Sequence, residues 1–316
     1  MLKFYMNYNF LKNNIKKNLK QIDELIENYI NENDPLHKQY LNKTSLKNGK
    51  KVRPIFLFLL SGLFNINDKN IITIASSLEL LHVSSLVHDD IIDKTDFRRG
   101  KKTFSSVFGN DISLLWGDFL FLTALKLLNT INNPLLTNSM LEASIKMVKG
   151  QILELENTNN LDINIETYLK IIEYKTAALF NFIGNVMIIL SNANNKIRKD
   201  ILEFTNNIGI QFQIIDDILD IYSDKTGKDK FNDFREKKIT LPYILLLKKI
   251  SKKEFLKITN EKELINYFEK YDIKSDINNY IDKIYKDTIK FLNKFESKVE
   301  KEALMEFINF IKERRY

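Results

Sequence analysis

Apolar residues recur along most of the chain at the three- and four-residue spacing of α-helices, and short polar interruptions separate the apolar segments. The interruptions are rich in Asn and fall at residues 64–70, 129–134, 157–164 and 191–195. The segments between them are long enough for extended helices. Because no interruption is long enough to be a linker, the pattern predicts a helical bundle, and we assign residues 1–316 to one domain.

Three segments refine this prediction. Ala75–Asp93 is apolar around most of its circumference, which is typical of a helix surrounded by other helices. Ala177–Leu190 is the most apolar stretch, but polar residues interrupt it and it is shorter than the ~20 residues that span a bilayer, so we expect a buried core helix. From Glu261 onward, apolar residues such as Ile277 and Ile281 alternate with charged ones, which predicts amphipathic helices covering the bundle.

Composition agrees with helices and narrows the function. The chain has only 9 Gly and 4 Pro, although its abundant Asn, Lys and Ile indicate an AT-rich genome that would also disfavour both residues. It has no Cys, which excludes disulfides, thiolate metal sites and cysteine nucleophiles. The net charge of +7 fits nucleic acid, an anionic membrane surface or small anionic substrates equally. Because the first residues lack the apolar stretch of a signal peptide, we expect a cytoplasmic protein without a transmembrane segment.

An acidic pattern of the form Asp-Asp-x-x-Asp occurs twice, in Asp89, Asp90 and Asp93 and in Asp216, Asp217 and Asp220. On a helix the first and fifth positions share a face, where like charges repel. Each pattern follows an apolar run, and partly buried carboxylates are costly without a partner. Magnesium would suit them, because it takes a few carboxylate oxygens and completes its shell with water and phosphate. One copy could equally be a solvated helix face; two copies on apolar helices favour metal.

Basic residues that could hold a phosphate lie near these motifs in the sequence. Lys50 and Arg53 stand at the entry to an apolar segment, and Arg98-Arg99 follows the first acidic motif. Lys175 and Lys228 lie in or beside other apolar segments. Arginine forks match phosphate oxygens in a bidentate manner. Each of these residues taken singly is also typical of a solvated surface charge.

Together these motifs resemble the trans-prenyl diphosphate synthases from about Asn48 to Pro242. Residues 48–54 are similar to the family's Gly-Gly-Lys-Arg-x-Arg-Pro, and residues 79–100, ELLHVSSLVHDDIIDKTDFRRG, resemble its first aspartate-rich region. Gly117–Leu120, Tyr174–Ala177 and residues 211–220, QFQIIDDILD, follow in the family's order. The resemblance implies an all-α, single-domain orthogonal helical bundle of the isoprenoid synthase type, Mg²⁺ as cofactor and a homodimer.

The resemblance also implies roles for individual residues. Magnesium would be bound by Asp89, Asp93 and Asp216, with support from Asp90, Asp217 and Asp220. Isopentenyl diphosphate would be held by Lys50, Arg53, His82 and Arg99. The allylic diphosphate, such as farnesyl diphosphate, would be held by Arg98, Lys175, Thr176, Gln213, Lys228 and Lys238. The catalytic set would be Asp89, Asp93, Asp216 and Lys175. Without the resemblance, His82 would be interpreted as a core histidine.

The chain departs from the family pattern in two places. Asn48 replaces the first glycine of the basic motif. Phe231 and Lys237 stand where the family usually has glycine, which predicts a differently shaped loop before Lys238.

The implied reaction is transfer of an allylic group to isopentenyl diphosphate, with charge on the leaving diphosphate stabilised by magnesium and basic side chains. Ser84 and Ser85 are small where short-chain members commonly carry an aromatic residue, and Asp89 to Arg98 lacks the two-residue insertion of many bacterial farnesyl synthases. We therefore expect a long product of about hepta- to decaprenyl length, with octaprenyl as the central expectation, for quinone side chains. Geranylgeranyl diphosphate is the alternative product.

Three other functions compete with this interpretation. A terpene cyclase would usually carry a different second metal motif and would not need Lys50 and Arg53. A non-catalytic subunit of a heteromeric synthase would be expected to lose an acidic motif, yet both are present. A nucleic-acid-binding protein would explain the charge of +7 but not the acidic motifs, so no nucleic acid is expected as a partner.

Overall fold

The computed structural model describes residues 9–33, 40, 49–98, 101–222, 230–296 and 298–313. These residues are predominantly helical, which confirms the all-α prediction, and the only strands within these ranges form one short hairpin. The helices are α1 Asn9–Asn33, α2 Val52–Leu63, α3 Ile71–Ile92, α4 Phe104–Phe108, α5 Asn110–Asn129, α6 Pro134–Glu156, α7 Ile165–Ile172, α8 Ala178–Ser191, α9 Asn195–Tyr222, α10 Asn232–Arg235, α11 Leu241–Leu247, α12 Lys252–Phe255, α13 Glu261–Lys270, α14 Ile273–Leu292 and α15 Val299–Glu313. Strands β1 (Phe97–Arg98) and β2 (Lys101–Lys102) pair antiparallel, and a π-helical turn (Glu173–Ala177) joins α7 to α8.

Helix ends fall at the predicted interruptions, and asparagine side chains form several of the helix starts. Asn164 accepts a hydrogen bond from the backbone N–H of Thr167 (2.8 Å), and Asn260 accepts one from the N–H of Glu263 (2.9 Å). These contacts satisfy backbone donors that have no partner within the first turn. The Asn-rich interruptions therefore act as helix caps.

The described residues group into two compact units. The first comprises Met1–Glu142, Phe182–Arg198 and Glu296–Phe307, and the second comprises Ala143–Asn181, Lys199–Phe295 and Ile308–Tyr316. Each unit contains one acidic motif. Assignment of the whole chain to a single domain stays a prediction.

In the first unit, α3 is the central helix, as the apolar circumference of this segment predicted. It packs most extensively against α5, and Leu78, Leu80 and Val83 are buried. The two helices approach closely at Gly117 of α5, where a Cβ atom would lie 2.3 Å from Nε2 of His88. Only glycine fits at this position without displacing the histidine ring.

In the second unit, α9 packs against the π-helical segment and the C-terminal helices. Phe204 of α9 stacks on Phe291 of α14, with ring centroids 4.4 Å apart. Ile277 and Ile281 of α14 are buried, which confirms the predicted amphipathic helix. Burial of its apolar face therefore stabilises this C-terminal helix.

Two helical stretches, Ile71–Ile92 and Ile165–Ser191, are long and apolar enough to cross a membrane. In each, 61% of the most apolar window is buried inside the protein, as in the core helix of a soluble protein, so they carry little weight as membrane spans. The core helix predicted at Ala177–Leu190 belongs to the second stretch. It is longer than the sequence indicated, because α7 and the π-helical turn continue it toward the N-terminus.

Candidate active site

The first acidic motif lies at the C-terminal end of α3. Asp89 and Asp93 are half-buried, and Asp93 caps the helix by donating its backbone N–H to the carbonyl of Asp89 (2.8 Å). The second motif occupies the last two turns of α9. Carboxylates at the negative end of a helix dipole are unfavourable unless a cation is close. Both motifs are therefore placed where a cation is favoured.

Within the first motif, Asp90 is buried and forms an ion pair with Arg98. The Nε and Nη2 atoms of Arg98 lie 2.7 and 2.6 Å from Oδ1 of Asp90. Burial raises the pKa of Asp90, and the guanidinium of Arg98 counteracts this rise. Because Arg98 lies on β1, the hairpin fixes the orientation of the second carboxylate of the motif.

Within the second motif, Asp217 is equally buried but is held by neutral groups. It accepts hydrogen bonds from the hydroxyl of Tyr168 (2.6 Å) and from Nε2 of Gln213 (2.8 Å). Burial raises the pKa of Asp217 to about 7, while these two hydrogen bonds oppose the rise. Gln213 also accepts a hydrogen bond from Oγ1 of Thr176 (2.6 Å), so two residues predicted to hold the allylic diphosphate are in contact.

The third carboxylate of the second motif, Asp220, is tied to the loop that follows. Its oxygens accept the backbone N–H groups of Asn232 (3.0 Å) and Asp233 (3.2 Å). Burial raises the pKa of Asp233 well above its usual range, and the nearby charges of Asp217 and Asp220 raise it further. Near this end of α9, Asp217 and Asp233 are therefore harder to ionise than ordinary aspartates.

Two lysines predicted to hold the allylic diphosphate meet one carboxylate. Nζ of Lys175 lies 2.6 Å from Oε2 of Glu154, and Nζ of Lys238 lies 4.0 Å from the same oxygen. Lys238 also pairs with Glu236 at 2.7 Å. Lys175 belongs to the π-helical turn, a feature that often marks functional sites because it redirects side chains.

The remaining predicted residues are placed as follows. Lys50 is exposed just before α2, Arg53 is buried in the first turn of α2, and His82 is half-buried on α3. Arg99 and Lys228 lie outside the described residues, as does Asn48. Lys51, beside Lys50, is buried and donates to Asp23 of α1 (2.7 Å), so it has a structural role.

The donor set fits magnesium. Within the described ranges, no group of three or more His, Cys, Asp or Glu side chains is arranged to hold a metal alone. Magnesium does not require such a group, because it commonly binds one or two carboxylates together with water and substrate phosphates. Asp89 and Asp93, and likewise Asp216 and Asp220, present hard oxygen donors one helical turn apart.

Sequence reasoning missed Tyr168, Glu154 and Asp233. Tyr168 lies 49 residues from Asp217, and no local pattern distinguishes it from a core tyrosine. Glu154 stands between Leu153 and Leu155, and this acidic residue within an apolar run is a signal that could have been noticed.

The departures from the family's glycines also have a structural outcome. Phe231 and Lys237 adopt φ angles of 59° and 56°, in the left-handed region that favours glycine. At both positions the backbone therefore has the conformation that glycine favours, although neither residue is glycine.

Known proteins resemble this chain in both sequence and fold. Residues 34–281 match the polyprenyl synthetase family. The chain is 34% identical over 262 residues to heptaprenyl diphosphate synthase component 2 of Bacillus subtilis, covering 82% of this chain and 74% of the relative. It is 34% identical over 198 residues to octaprenyl diphosphate synthase of Escherichia coli, covering 62% and 61%, respectively. The crystal structure of geranylgeranyl pyrophosphate synthetase from Pyrococcus horikoshii matches with a TM-score of 0.84 at 30% identity, covering 98% of each chain. The chain therefore belongs to the polyprenyl synthetase family, the trans-isoprenyl diphosphate synthases, which are prenyltransferases of isoprenoid biosynthesis with an all-α fold.

Proposed function

We propose that the protein is a magnesium-dependent polyprenyl diphosphate synthase. It condenses isopentenyl diphosphate with an allylic diphosphate, such as farnesyl diphosphate, into an all-trans product of about hepta- to decaprenyl length, with octaprenyl as the central expectation. Family membership supports prenyl transfer. The names of the relatives span heptaprenyl, octaprenyl and geranylgeranyl products, so they do not select a length.

The observation that carries the proposal is the shared arrangement of the two acidic motifs. In each, the second carboxylate is buried and held by protein groups, while the first and fifth are half-buried at a helix C-terminus. We assign magnesium binding to Asp89, Asp93 and Asp216, with support from Asp90, Asp217 and Asp220. Bound magnesium stabilises the charge that develops on the departing diphosphate.

The protein's own basic and polar groups bind and orient the substrates. We assign isopentenyl diphosphate to Lys50, Arg53, His82 and Arg99. We assign the allylic diphosphate to Arg98, Lys175, Thr176, Gln213, Lys228 and Lys238. Thr176 contacts Gln213, and Lys175 contacts Glu154. These contacts support a common site for the allylic-diphosphate residues of the second unit.

Small residues on α3 support a long product. Ser84 is buried and donates its hydroxyl to the carbonyl of Gly117 (2.8 Å), so this position carries a small side chain and not an aromatic one. Ser76 and Ser77, two turns earlier, are also small and buried. Leu80 and Leu81 lie between Ser77 and Ser84. If the product is the shorter geranylgeranyl diphosphate, these two leucines would be the residues that stop its elongation. Use of the product in quinone side chains is part of the proposal.

Exposed apolar residues support the homodimer implied by the resemblance. On α5 they recur at helical spacing, in Ile112, Leu115 and Leu122. On α6 they recur in the same way, in Ile145, Val148 and Ile152. Exposed apolar residues that recur along a helix are typical of interaction sites in soluble proteins. We propose a second copy of the chain as the partner, a cytoplasmic location, and no nucleic-acid partner.

A second candidate is a catalytic subunit that requires a different partner chain. The Bacillus subtilis relative is named component 2, which indicates an enzyme of more than one component. A terpene cyclase or a non-catalytic subunit agrees less well with two acidic motifs of the same form.

The test is incubation of the purified protein with Mg²⁺, labelled isopentenyl diphosphate and farnesyl diphosphate, followed by chain-length analysis of the dephosphorylated products. We expect a ladder that ends near octaprenol and disappears on chelation or in Asp89→Ala. The exposed Asp111→Ala, on α5, is the control and should retain activity. A stop at geranylgeraniol would keep the reaction and reject the length. Absence of incorporation with every primer would reject single-chain activity.

A further inference from the structure

Three donor groups lie close to the carboxylate of Glu154, on α6. Its Oε2 atom accepts hydrogen bonds from Nζ of Lys175 (2.6 Å) and Nε2 of Gln151 (3.3 Å), and Nζ of Lys238 lies 4.0 Å away. The side chains of Glu154, Lys175 and Lys238 are only 19%, 23% and 14% exposed. Charges that are this shielded from water interact more strongly than surface pairs.

The backbone brings these groups together. Gly150 lets α6 approach the π-helical turn so closely that a Cβ atom there would lie 2.4 Å from the backbone nitrogen of Lys175. Glu154 is one turn further along α6, so it reaches the side chain of Lys175. The loop carrying Lys238 is fixed to the segment after α6, because the N–H of Asn159 donates to the carbonyl of Lys237 (2.8 Å).

The arrangement places the carboxylate of Glu154 beside two ammonium groups, of which Lys238 also pairs with Glu236 (2.7 Å). Two ammonium groups in this position repel one another unless an anion lies close to both. Acidic groups surround the cluster, since the charge of Glu154 also raises the pKa values of Asp217 and Asp233. A diphosphate that binds the two lysines must therefore compete with the carboxylate of Glu154.

We propose that Glu154 is a positioning residue that stands in for the diphosphate. Without substrate it keeps Lys175 and Lys238 together, and the allylic diphosphate displaces its carboxylate when it binds. This inference rests on the proposed function, which assigns both lysines to that diphosphate. A diphosphate carries more charge and more acceptor oxygens than one carboxylate, so it wins the competition. The charge of Glu154 lowers the net affinity and favours release of diphosphate after the reaction.

The first test measures the Kd of inorganic diphosphate by titration calorimetry without Mg²⁺. Glu154→Gln keeps the shape and the hydrogen-bond acceptor but removes the charge, so we expect about tenfold tighter binding. Glu156→Gln changes the same charge at an exposed position of the same helix and should leave the Kd unchanged. Equal or weaker binding by Glu154→Gln, in a protein whose thermal unfolding matches the wild type, would overturn the proposal.

A double-mutant cycle then shows whether Glu154 acts through Lys175. The gain of Glu154→Gln should vanish when Lys175 is already Gln, and its persistence would contradict the mechanism. In steady-state assays, the KM for the allylic diphosphate should fall in Glu154→Gln while the KM for isopentenyl diphosphate stays constant. A wild-type crystal structure with bound diphosphate should show Glu154 more than about 4 Å from Lys175, beyond ion-pair distance.

The calorimetric titration distinguishes failure of this inference from failure of the proposed function. If the wild type binds inorganic diphosphate and Glu154→Gln binds it more tightly, but no isopentenyl diphosphate is incorporated, then the displacement stands and the proposed reaction fails. If incorporation proceeds and the charge of Glu154 has no influence on binding, then the reaction stands and the displacement fails.

Discussion

The two acidic motifs have the same sequence form, the same place at the end of a helix and the same buried second position, yet the protein neutralises that position differently. Asp90 is 6% exposed and Asp217 is 5% exposed. Asp90 faces the guanidinium of Arg98, whereas Asp217 is held by the hydroxyl of Tyr168 and the amide of Gln213. An ion pair favours the charged carboxylate more strongly than neutral hydrogen bonds do.

The difference teaches that identical motifs need not carry identical charge. Burial raises the pKa of both carboxyls, but Arg98 opposes the rise at Asp90, whereas the pKa of Asp217 rises to about 7. The charge of the second motif therefore depends on pH and on what is bound nearby. A magnesium ion would favour the ionised form of Asp217, because a nearby cation lowers the pKa of a carboxyl group.

The largest expected effect is a loss of activity, and it shows whether the two motifs are equivalent as metal ligands. Asp89→Asn and Asp216→Asn should each lower kcat/KM by about 10³-fold or more, because each removes an oxygen donor that positions magnesium at the leaving group. Radiolabel incorporation over a range of Mg²⁺ concentrations measures this effect. Asp111→Asn, at an exposed position of α5, is the control. If one variant retains activity within tenfold of the wild type, the motifs are not equivalent.

The next effect concerns the free energy of unfolding and should be larger in the second motif than in the first. The folded-state pKa of Asp217 is raised from its usual 3.8 to about 7, so its stabilising contribution is complete below about pH 4 and is lost as the pH rises through 7. Asn does not ionise, so Asp217→Asn should flatten this dependence and raise the free energy of unfolding at pH 8 by up to about 4 kcal/mol. Asp90→Asn should raise it by less, because the pKa of Asp90 is also raised but Arg98 opposes the rise.

Urea unfolding at pH 5, 6, 7 and 8 in the presence of a chelator measures both variants. The chelator matters because bound metal would stabilise the ionised carboxylates. Shifts of equal size at pH 8 would show that the two buried positions are electrostatically alike.

A smaller effect compares the residues five positions before each motif. Ser84 donates to the carbonyl of Gly117, whereas neither amide atom of the buried Gln211 has a hydrogen-bond partner among the described residues. Gln211→Leu should therefore raise the free energy of unfolding by about 1–3 kcal/mol, and Ser84→Ala should lower it by about 1 kcal/mol. Thermal and urea unfolding measure both changes. Destabilisation by Gln211→Leu would mean that the amide has partners in solution.

The smallest effect concerns the segments after the motifs. The first motif leads into the β1–β2 hairpin, whereas the second leads into a loop in which Phe231 and Lys237 hold left-handed conformations. Lys237→Gly should raise the free energy of unfolding by about 1 kcal/mol, because glycine adopts positive φ without steric cost. Lys248→Gly, at a φ of −75°, is the matched control and should be destabilising by about 0.5–1 kcal/mol. Equal shifts for both would show that the loop is not strained at Lys237.

The sequence alone predicted an all-helical protein and both acidic motifs. Helix ends at residues 64–70, 129–134, 157–164 and 191–195 follow from Asn and Pro chemistry, which acts within a few residues. The apolar circumference of Ala75–Asp93 identified the buried α3 for the same reason, since periodicity is local information. Thr176 and Gln213 were both predicted as site residues. The hydrogen bond between them spans 37 positions, and no local pattern predicts such a contact.

Only the tertiary structure decided how each motif is neutralised and which residues hold the lysines. Tyr168 and Asp217 are 49 positions apart, Glu154 and Lys175 are 21 apart, and the π-helical turn that redirects Lys175 has no signature in its sequence, EYKTA. Hydrogen bonds and ion pairs depend on distances of 2.6 Å between atoms on different helices. Residue type and spacing fix which groups can ionise or bind a cation, but packing sets their burial and partners, and these determine their pKa values and charge.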